Sequence, residues 1–250
     1  MTGNVLVAGA GSALARALAE GLAGRGHGLV LAARDAAEAG RTAADLRLRF
    51  GVPTSALAFD ARDALATAAL VARADAALPG GLAGVVLAFA AMPEQELVER
   101  DGTAGLAMTD VNVRSTMALL ESAAALLETR PGSFLCAFSS VAGDRGRRKN
   151  YAYGATKAAL STAMEGLSAR LAPKGVTVLC VKPGPTDSPM TWGLVPSTSP
   201  LLLARPETVA RDVLSALARN RSVVYTPWFW RPIMAVLRAL PATIFRRLPI

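Results

Sequence analysis

The sequence predicts a doubly wound α/β fold: a parallel sheet of about seven strands, covered by helices on both faces, in one domain of a 250-residue chain. Three observations carry this expectation. Short apolar runs recur at Val5–Ala8, Leu29–Ala32, Ser55–Phe59, Gly84–Phe89, Ser133–Phe138, Thr177–Val181 and Val223–Tyr225, and they are continuous rather than alternating, as in strands buried on both faces. Ala/Leu-rich helical stretches separate most of these runs, and β–α alternation implies parallel pairing. Finally, Gly11, Arg34, Asp60, Phe89, Ser140 and Ser188 fall at or just beyond carboxyl ends of strands. Open α/β sheets bind ligands at those ends, near the point where strand order reverses. No Ser/Pro-rich linker, repeat or low-complexity tract divides the chain. Residues 1–226 are therefore read as one catalytic domain and 227–250 as a C-terminal tail.

The first strand leads into Ala8-Gly9-Ala10-Gly11-Ser12-Ala13-Leu14-Ala15 and then an alanine-rich helix. Small residues let a backbone approach a pyrophosphate, and the helix N-terminus offers free N–H groups and positive potential. Ala13 and Ala15 stand where glycines are common in such motifs, so a plain tight turn remains an alternative. The second strand ends Ala32-Ala33-Arg34-Asp35. An arginine there accommodates a ribose 2′-phosphate, whereas an acid holds a 2′-hydroxyl. Arg34 tilts the reading to NADP(H), and Asp35 leaves NAD(H) open. Asp60, followed by Ala61, ends the third strand and suits an adenine amine, the alternative being a helix cap with Asp63. After the fourth strand come Ala88-Phe89-Ala90-Ala91, whose backbone, but not its side chains, offers polar groups to an adenosine.

The fifth strand ends at Ser140, thirteen residues before Tyr153, and Lys157 follows four residues later. On a helix, four residues make about one turn and place both side chains on one face. Tyrosine ionises near pH 10, about three units too high for useful proton transfer at neutral pH. A neighbouring ammonium is expected to lower that value, and Ser140 to polarise a carbonyl oxygen in the same pocket.

The ordered set Gly9-Ala-Gly11-Ser-Ala-Leu-Ala, Asp60, Asn112, Ser140, Tyr153-Gly-Ala-Thr-Lys157 and Pro183-Gly184 resembles the short-chain dehydrogenases/reductases over nearly the whole chain. The resemblance implies a Rossmann-like fold, Tyr153 as general acid/base, and Lys157 lowering its pKa while binding the nicotinamide ribose. It also implies that Ser140 binds the substrate oxygen and that Asn112 kinks its helix and holds a relay water. Gly9, Gly11, Ser12, Ala13, Leu14, Arg34, Asp60, Ala61, Ala88 and Phe89 would line the cofactor. Pro183, Gly184, Thr186 and Ser188 would cradle the nicotinamide, with Ser188 in place of the usual threonine. A homodimer or homotetramer through the helices carrying Asn112 and Tyr153 is implied as well. Tyr151 and Ser139 are decoys: Ala155, not a lysine, follows Tyr151 by four residues, and Ser139 points to the opposite strand face.

Between Ser140 and Tyr153 lie Arg145, Arg147, Arg148 and Lys149. Tethered between two catalytic positions, these cations are expected over the pocket mouth, where guanidinium groups suit phosphate oxygens. Arg145, Arg147, Arg148 and Met190 are the expected substrate residues. The tail after Thr226 is apolar and aromatic but broken by Arg231, Arg238, Arg246, Arg247 and several prolines, so it holds no membrane-spanning run. Packing on the domain, an oligomer interface and a lipid surface all remain open for it. The segments 139–148 and 244–250 also resemble a branch of the family that reduces decaprenylphosphoryl-2-keto-pentose. A lipid-phosphate-linked keto sugar is the substrate this second resemblance implies.

The formal net charge of +8 favours anionic partners. No helix-turn-helix, zinc-ligand or aromatic-basic pattern points to nucleic acid or metal, and the single histidine, His27, sits in a Gly-rich turn. The N-terminus carries no signal-peptide pattern and the two cysteines lie in apolar runs, so a cytoplasmic protein with reduced thiols is expected. Two rival functions stay open: a dinucleotide-sensing regulator without turnover on the same fold, and a membrane-associated scaffold using the tail.

Overall fold

In the first strand Val5 and Val7 point to one face and Leu6 and Ala8 to the other, and all four are fully buried. Continuous apolar sequence therefore becomes a strand with two dry faces, which only helices on both sides can supply. The computed structural model describes residues 3–191 and 203–248. Met1, Thr2 and the last two tail residues, Pro249 and Ile250, lie outside the described residues.

Seven strands form one sheet: β1 (Asn4–Ala8), β2 (Leu29–Ala33), β3 (Thr54–Ala58), β4 (Leu82–Leu87), β5 (Phe134–Phe138), β6 (Thr177–Pro183) and β7 (Val223–Thr226). Every pairing is parallel, and the order is β3-β2-β1-β4-β5-β6-β7. Strand order reverses between β1 and β4, which opens a crevice at their carboxyl ends. One face is covered by α1 (Ala13–Ala23), α2 (Ala36–Phe50) and α8 (Pro206–Ala218), with Leu18, Leu22, Leu46 and Val213 in its core. The other is covered by α3 (Ala64–Ala76), α6 (Thr116–Leu127) and α7 (Tyr151–Leu171), with Leu70, Leu119 and Leu160 inward. Two short helices, α4 (Gln95–Arg100) and α5 (Gly102–Thr109), precede a π-helical stretch at Asp110–Ser115. The chain closes with α9 (Trp230–Ala239) and α10 (Ala242–Phe245).

Two strands differ from the sequence expectation by two residues at an end, for identifiable reasons. The fourth strand begins at Leu82 and stops at Leu87, two residues earlier at each end. Gly9, in the left-handed region at φ 87°, turns the chain after β1 directly against Ala88; a methyl group on Gly9 would lie 2.8 Å from the Ala88 carbonyl and from Phe89 Cβ. Ala88 and Phe89 thus leave the sheet to pass over that turn. The sixth strand runs on to Pro183, because Lys182 and Pro183 pair with Tyr225 and Thr226 of β7. A proline is tolerated there because it stands at the strand's last residue.

Candidate active site

Ser140 leaves β5 in an extended conformation and caps a single 3₁₀ turn, Val141–Gly143, accepting the Ala142 N–H at 3.0 Å. The turn lies against the first turns of α7 because glycines remove the obstructing side chains. A Cβ on Gly143 would sit 2.7 Å from the Lys157 carbonyl carbon, and one on Gly154 would sit 2.7 Å from the Ala142 oxygen. Ser140, Tyr153 and Lys157 are therefore brought together by backbone-to-backbone packing, with the Ser140 hydroxyl near enough to the Tyr153 phenol to favour its ionised form. Lys157 is 3 % exposed, donates to the Phe138 carbonyl at 2.8 Å, and lies 5.6 Å from the Tyr153 ring centre.

The electrostatics differ from the expectation that Lys157 lowers the Tyr153 pKa. Desolvation pushes the phenol above its ordinary value, offset only in part by the Ser140 hydroxyl. Burial likewise pushes the Lys157 ammonium down to about 8. The ammonium is turned toward the Phe138 carbonyl rather than toward the phenolic oxygen. Burial thus favours the neutral phenol at Tyr153.

Asn112 lies in the π-helical stretch, a feature often found at functional sites. Its side chain is 2 % exposed and acts as a two-way splint: Oδ1 accepts the Ala91 N–H at 2.7 Å, while Nδ2 donates to the Ala91 carbonyl at 2.8 Å and to Thr156 Oγ1 at 3.1 Å. It ties the segment after β4 to α7 and leaves no side-chain N–H for a relay water. Ser139 bonds to the Lys157 carbonyl and to Ser161 on the opposite strand face, and Tyr151 is exposed. Neither joins the site.

On the β1–β3 side, Ser12 caps α1 by accepting the Ala15 N–H at 3.1 Å, and the space a Gly11 Cβ would enter is open to 4 Å. Gly9 and Ala10 lie beneath, with Ala13 and Leu14 in the first turn. Asp35 accepts the Glu38 N–H at 2.8 Å as the cap of α2, whereas the neighbouring Arg34 is exposed. Asp60 accepts both the backbone and the guanidinium of Arg62, which holds its carboxyl down at about 2, and Asp63 caps α3. The carboxylate expected for an adenine is thus already engaged. Ala61 accepts a hydroxyl hydrogen bond from Ser115, and Phe89 stacks edge-on against Phe59 at 5.4 Å.

After β6, Gly184 donates to the Thr226 carbonyl at 3.0 Å, Thr186 is buried and bridged to Ala204, and Ser188 bonds with Thr191 at 3.2 Å. Met190 is exposed. The loop cations divide. Arg145, expected over the pocket mouth, instead donates to the carbonyls of Leu237, Arg238 and Leu240 and lies 4.1 Å over the Phe245 ring. The open carbonyls at the end of α9 attract that guanidinium more effectively than water does. Arg147 is half-buried with an unpartnered buried Nε among the described residues, and Arg148 is exposed. Trp230 packs on Gly184, where a Cβ would lie 1.9 Å from the indole nitrogen, and clusters with Val141 and Met234. The described tail therefore rests on the site.

Sequence reading missed Asp144, Lys182, Tyr225 and Trp230. Asp144 Oδ1 accepts from Lys182 Nζ at 2.5 Å and Oδ2 from the Tyr225 hydroxyl at 2.7 Å. One signal was available: Asp144 is the lone acid in a run of cations, and an acid held there invites a buried partner.

Residues 3–198 match the family model described as short chain dehydrogenase. An uncharacterized oxidoreductase of Mycobacterium tuberculosis (strain ATCC 25618 / H37Rv) is 37 % identical over 239 residues, covering 96 % of this chain and 92 % of that protein. An uncharacterized oxidoreductase of Streptomyces coelicolor is 33 % identical over 98 % of this chain and 95 % of its own. Among solved structures, a short chain dehydrogenase from Burkholderia cenocepacia J2315 in complex with NADP superposes with a TM-score of 0.82 at 23 % identity, covering 99 % and 97 % of the two chains. This chain belongs to the short-chain dehydrogenase family, and is an oxidoreductase.

Proposed function

We propose that the chain is an NADP(H)-preferring reductase that converts a ketone bearing an anionic group into a secondary alcohol. The observation that carries this reading is the convergence of the Ser140 and Tyr153 hydroxyls over a buried Lys157 at the carboxyl edge of the sheet. The dinucleotide, when bound, supplies the hydride. Ser140 donates to the carbonyl oxygen and orients it; Tyr153 delivers its proton to that oxygen as the C=O π bond breaks and the new C–H bond forms. A phenol held neutral by desolvation suits the reductive direction.

The open space above Gly11 at the start of α1 fits a pyrophosphate, and the Lys157 ammonium fits a ribose hydroxyl. Preference for NADP(H) is supported by the engaged Asp35 beside an exposed Arg34, and by the NADP in the Burkholderia relative. The anionic group is supported by Arg147, whose buried Nε lacks a partner, with Arg148 beside it. A lipid-phosphate-linked keto sugar is the specific substrate we assign. The tail supports it: Trp228 is 76 % and Val236 63 % exposed, with Arg231 and Arg238 nearby in sequence. No described helix is long and apolar enough to cross a membrane. Self-association is supported by an apolar groove of about 460 Å³ between α5 and α7, lined by Leu106, Met108 and Tyr151.

The test is NADPH oxidation with polyprenyl-phosphoryl keto-pentose, dihydroxyacetone phosphate and cyclohexanone. Turnover should fall in that order; equal rates on all three would reject the anionic substrate, and none on any would reject the reductase.

A further inference from the structure

We infer that Asp144 is a positioning residue through which β6, β7 and the C-terminal helix set the place of Ser140. The inference rests on the catalytic reading above, since it assigns a role relative to that serine and Tyr153.

The 3₁₀ turn begins at Ser140 and ends at Asp144, so a displacement of one end is transmitted to the other over three residues. Its front is fixed against α7 by the close approaches at Gly143 and Gly154. Its back is held by Asp144 through two hydrogen bonds: one carboxylate oxygen takes the Lys182 ammonium of β6 and the other the Tyr225 hydroxyl of β7. The Asp144 side chain is 2 % exposed and that of Lys182 12 %. Next in the chain, Arg145 grips the carbonyls ending α9, and Trp230 of that helix packs on both Val141 and Gly184. The turn is thus held between the catalytic helix and the C-terminal segment.

The chemistry of the hold argues for placement rather than mere cohesion. A buried ion pair contributes little net stability compared with apolar residues of the same volume, because desolvation consumes most of its attraction. What two directional hydrogen bonds to one carboxylate do supply is a fixed position, and a catalytic hydroxyl misplaced by about 1 Å can cost on the order of a hundredfold in rate.

The test compares wild type, Tyr153→Phe, Tyr225→Phe, Asp144→Asn and the Tyr225→Phe/Asp144→Asn double variant in the full chain, with NADPH and the ketone that the wild type turns over best. Tyr225→Phe should lower kcat by about tenfold through misplacement of the Ser140 hydroxyl, with NADPH affinity close to wild type and Tm lowered by only about 2–8 °C for the lost hydrogen bond. Asp144→Asn should lower it further, and the double variant no further than Asp144→Asn, because both act through one carboxylate. If Tyr153→Phe abolishes turnover while Tyr225→Phe and Asp144→Asn leave kcat intact, the inference fails and the catalytic reading stands. If Tyr153→Phe keeps its rate, the catalytic reading fails. A substrate-independent readout is amide hydrogen exchange at Gly143 and Asp144, whose N–H groups bond within the turn. Tyr225→Phe should speed it about tenfold while α7 amides stay protected; unchanged exchange, or loss of protection throughout with a larger fall in Tm, overturns the positioning role.

Discussion

The two ends of the sheet's carboxyl edge are built on opposite plans. Around Ser140 and Tyr153 most polar side chains are bound within the protein: Lys157 binds Phe138, Asn112 binds Ala91 and Thr156, and Asp144 binds Lys182 and Tyr225, while Arg147 Nε, Asn150 Oδ1 and Trp230 Nε1 are buried without a partner among the described residues. Around Gly11 and Arg34 it leaves room, with open space where a Gly11 Cβ would lie and Arg34 exposed, while Ser12, Asp35 and Asp63 cap helices. On the function proposed above, proton transfer needs atoms fixed to tenths of an ångström, which the close packing of the Ser140 turn on α7 suits. Dinucleotide binding needs room and free N–H groups, so the other end is a shaped gap.

The largest expected effect probes the packed end. Tyr153→Phe removes the transferable proton and should reduce kcat by about 10² to 10⁴-fold while NADPH affinity stays within about twofold. Steady-state kinetics and fluorescence titration check it, and an undiminished rate would refute the mechanism.

A matched pair of alanines then sets the plans directly against each other. Gly154→Ala forces a methyl group within 2.7 Å of the Ala142 oxygen and should destabilise the fold by about 1–3 kcal/mol. Gly11→Ala meets open space, so its Tm should stay near wild type while NADPH binding weakens. Thermal unfolding with and without NADPH separates them; a stable Gly154→Ala protein would show that the catalytic turn is looser than drawn. Within the open end, Arg34→Ala should weaken NADPH about tenfold or more and leave NADH unchanged, as a charge-assisted phosphate contact is lost. An equal loss for both cofactors would remove Arg34 from the 2′-position.

The same division governs what could be read from sequence. Strand positions and the Ser140, Tyr153, Lys157 spacing were legible, because a two-face apolar run and a one-turn offset are local properties of the chain. What was not legible depended on distant partners. Arg145 was expected at the pocket mouth, yet its partners lie 92 to 95 residues away at the end of α9. Asp144 is matched by Tyr225, 81 residues on. The Tyr153 pKa was misjudged for a related reason: a one-turn offset places the ammonium near the phenol but says nothing of how strongly the surroundings desolvate both, or that the Phe138 carbonyl captures the cation.

The last expected effect concerns Lys157, where the two plans meet: its ammonium is packed in the core and, on the function proposed above, meets the ribose. Burial holds its pKa in the fold down at about 8 against 10.5 for a lysine in water, so between those limits the unfolded chain holds a proton that the folded chain has lost. The protein without cofactor should therefore gain stability as pH rises through this window, by at most about 1.4 kcal/mol per unit from this group. Affinity for NADPH should run the other way: full below about 8 and weakening above it, as the charge that meets the ribose disappears. Lys157→Met is the control. It should flatten the slope of stability against pH and bind NADPH weakly at every pH, measured by urea unfolding and by titration at pH steps from neutral to alkaline. Parallel rather than opposed trends in wild type would mean that the ammonium serves the fold alone.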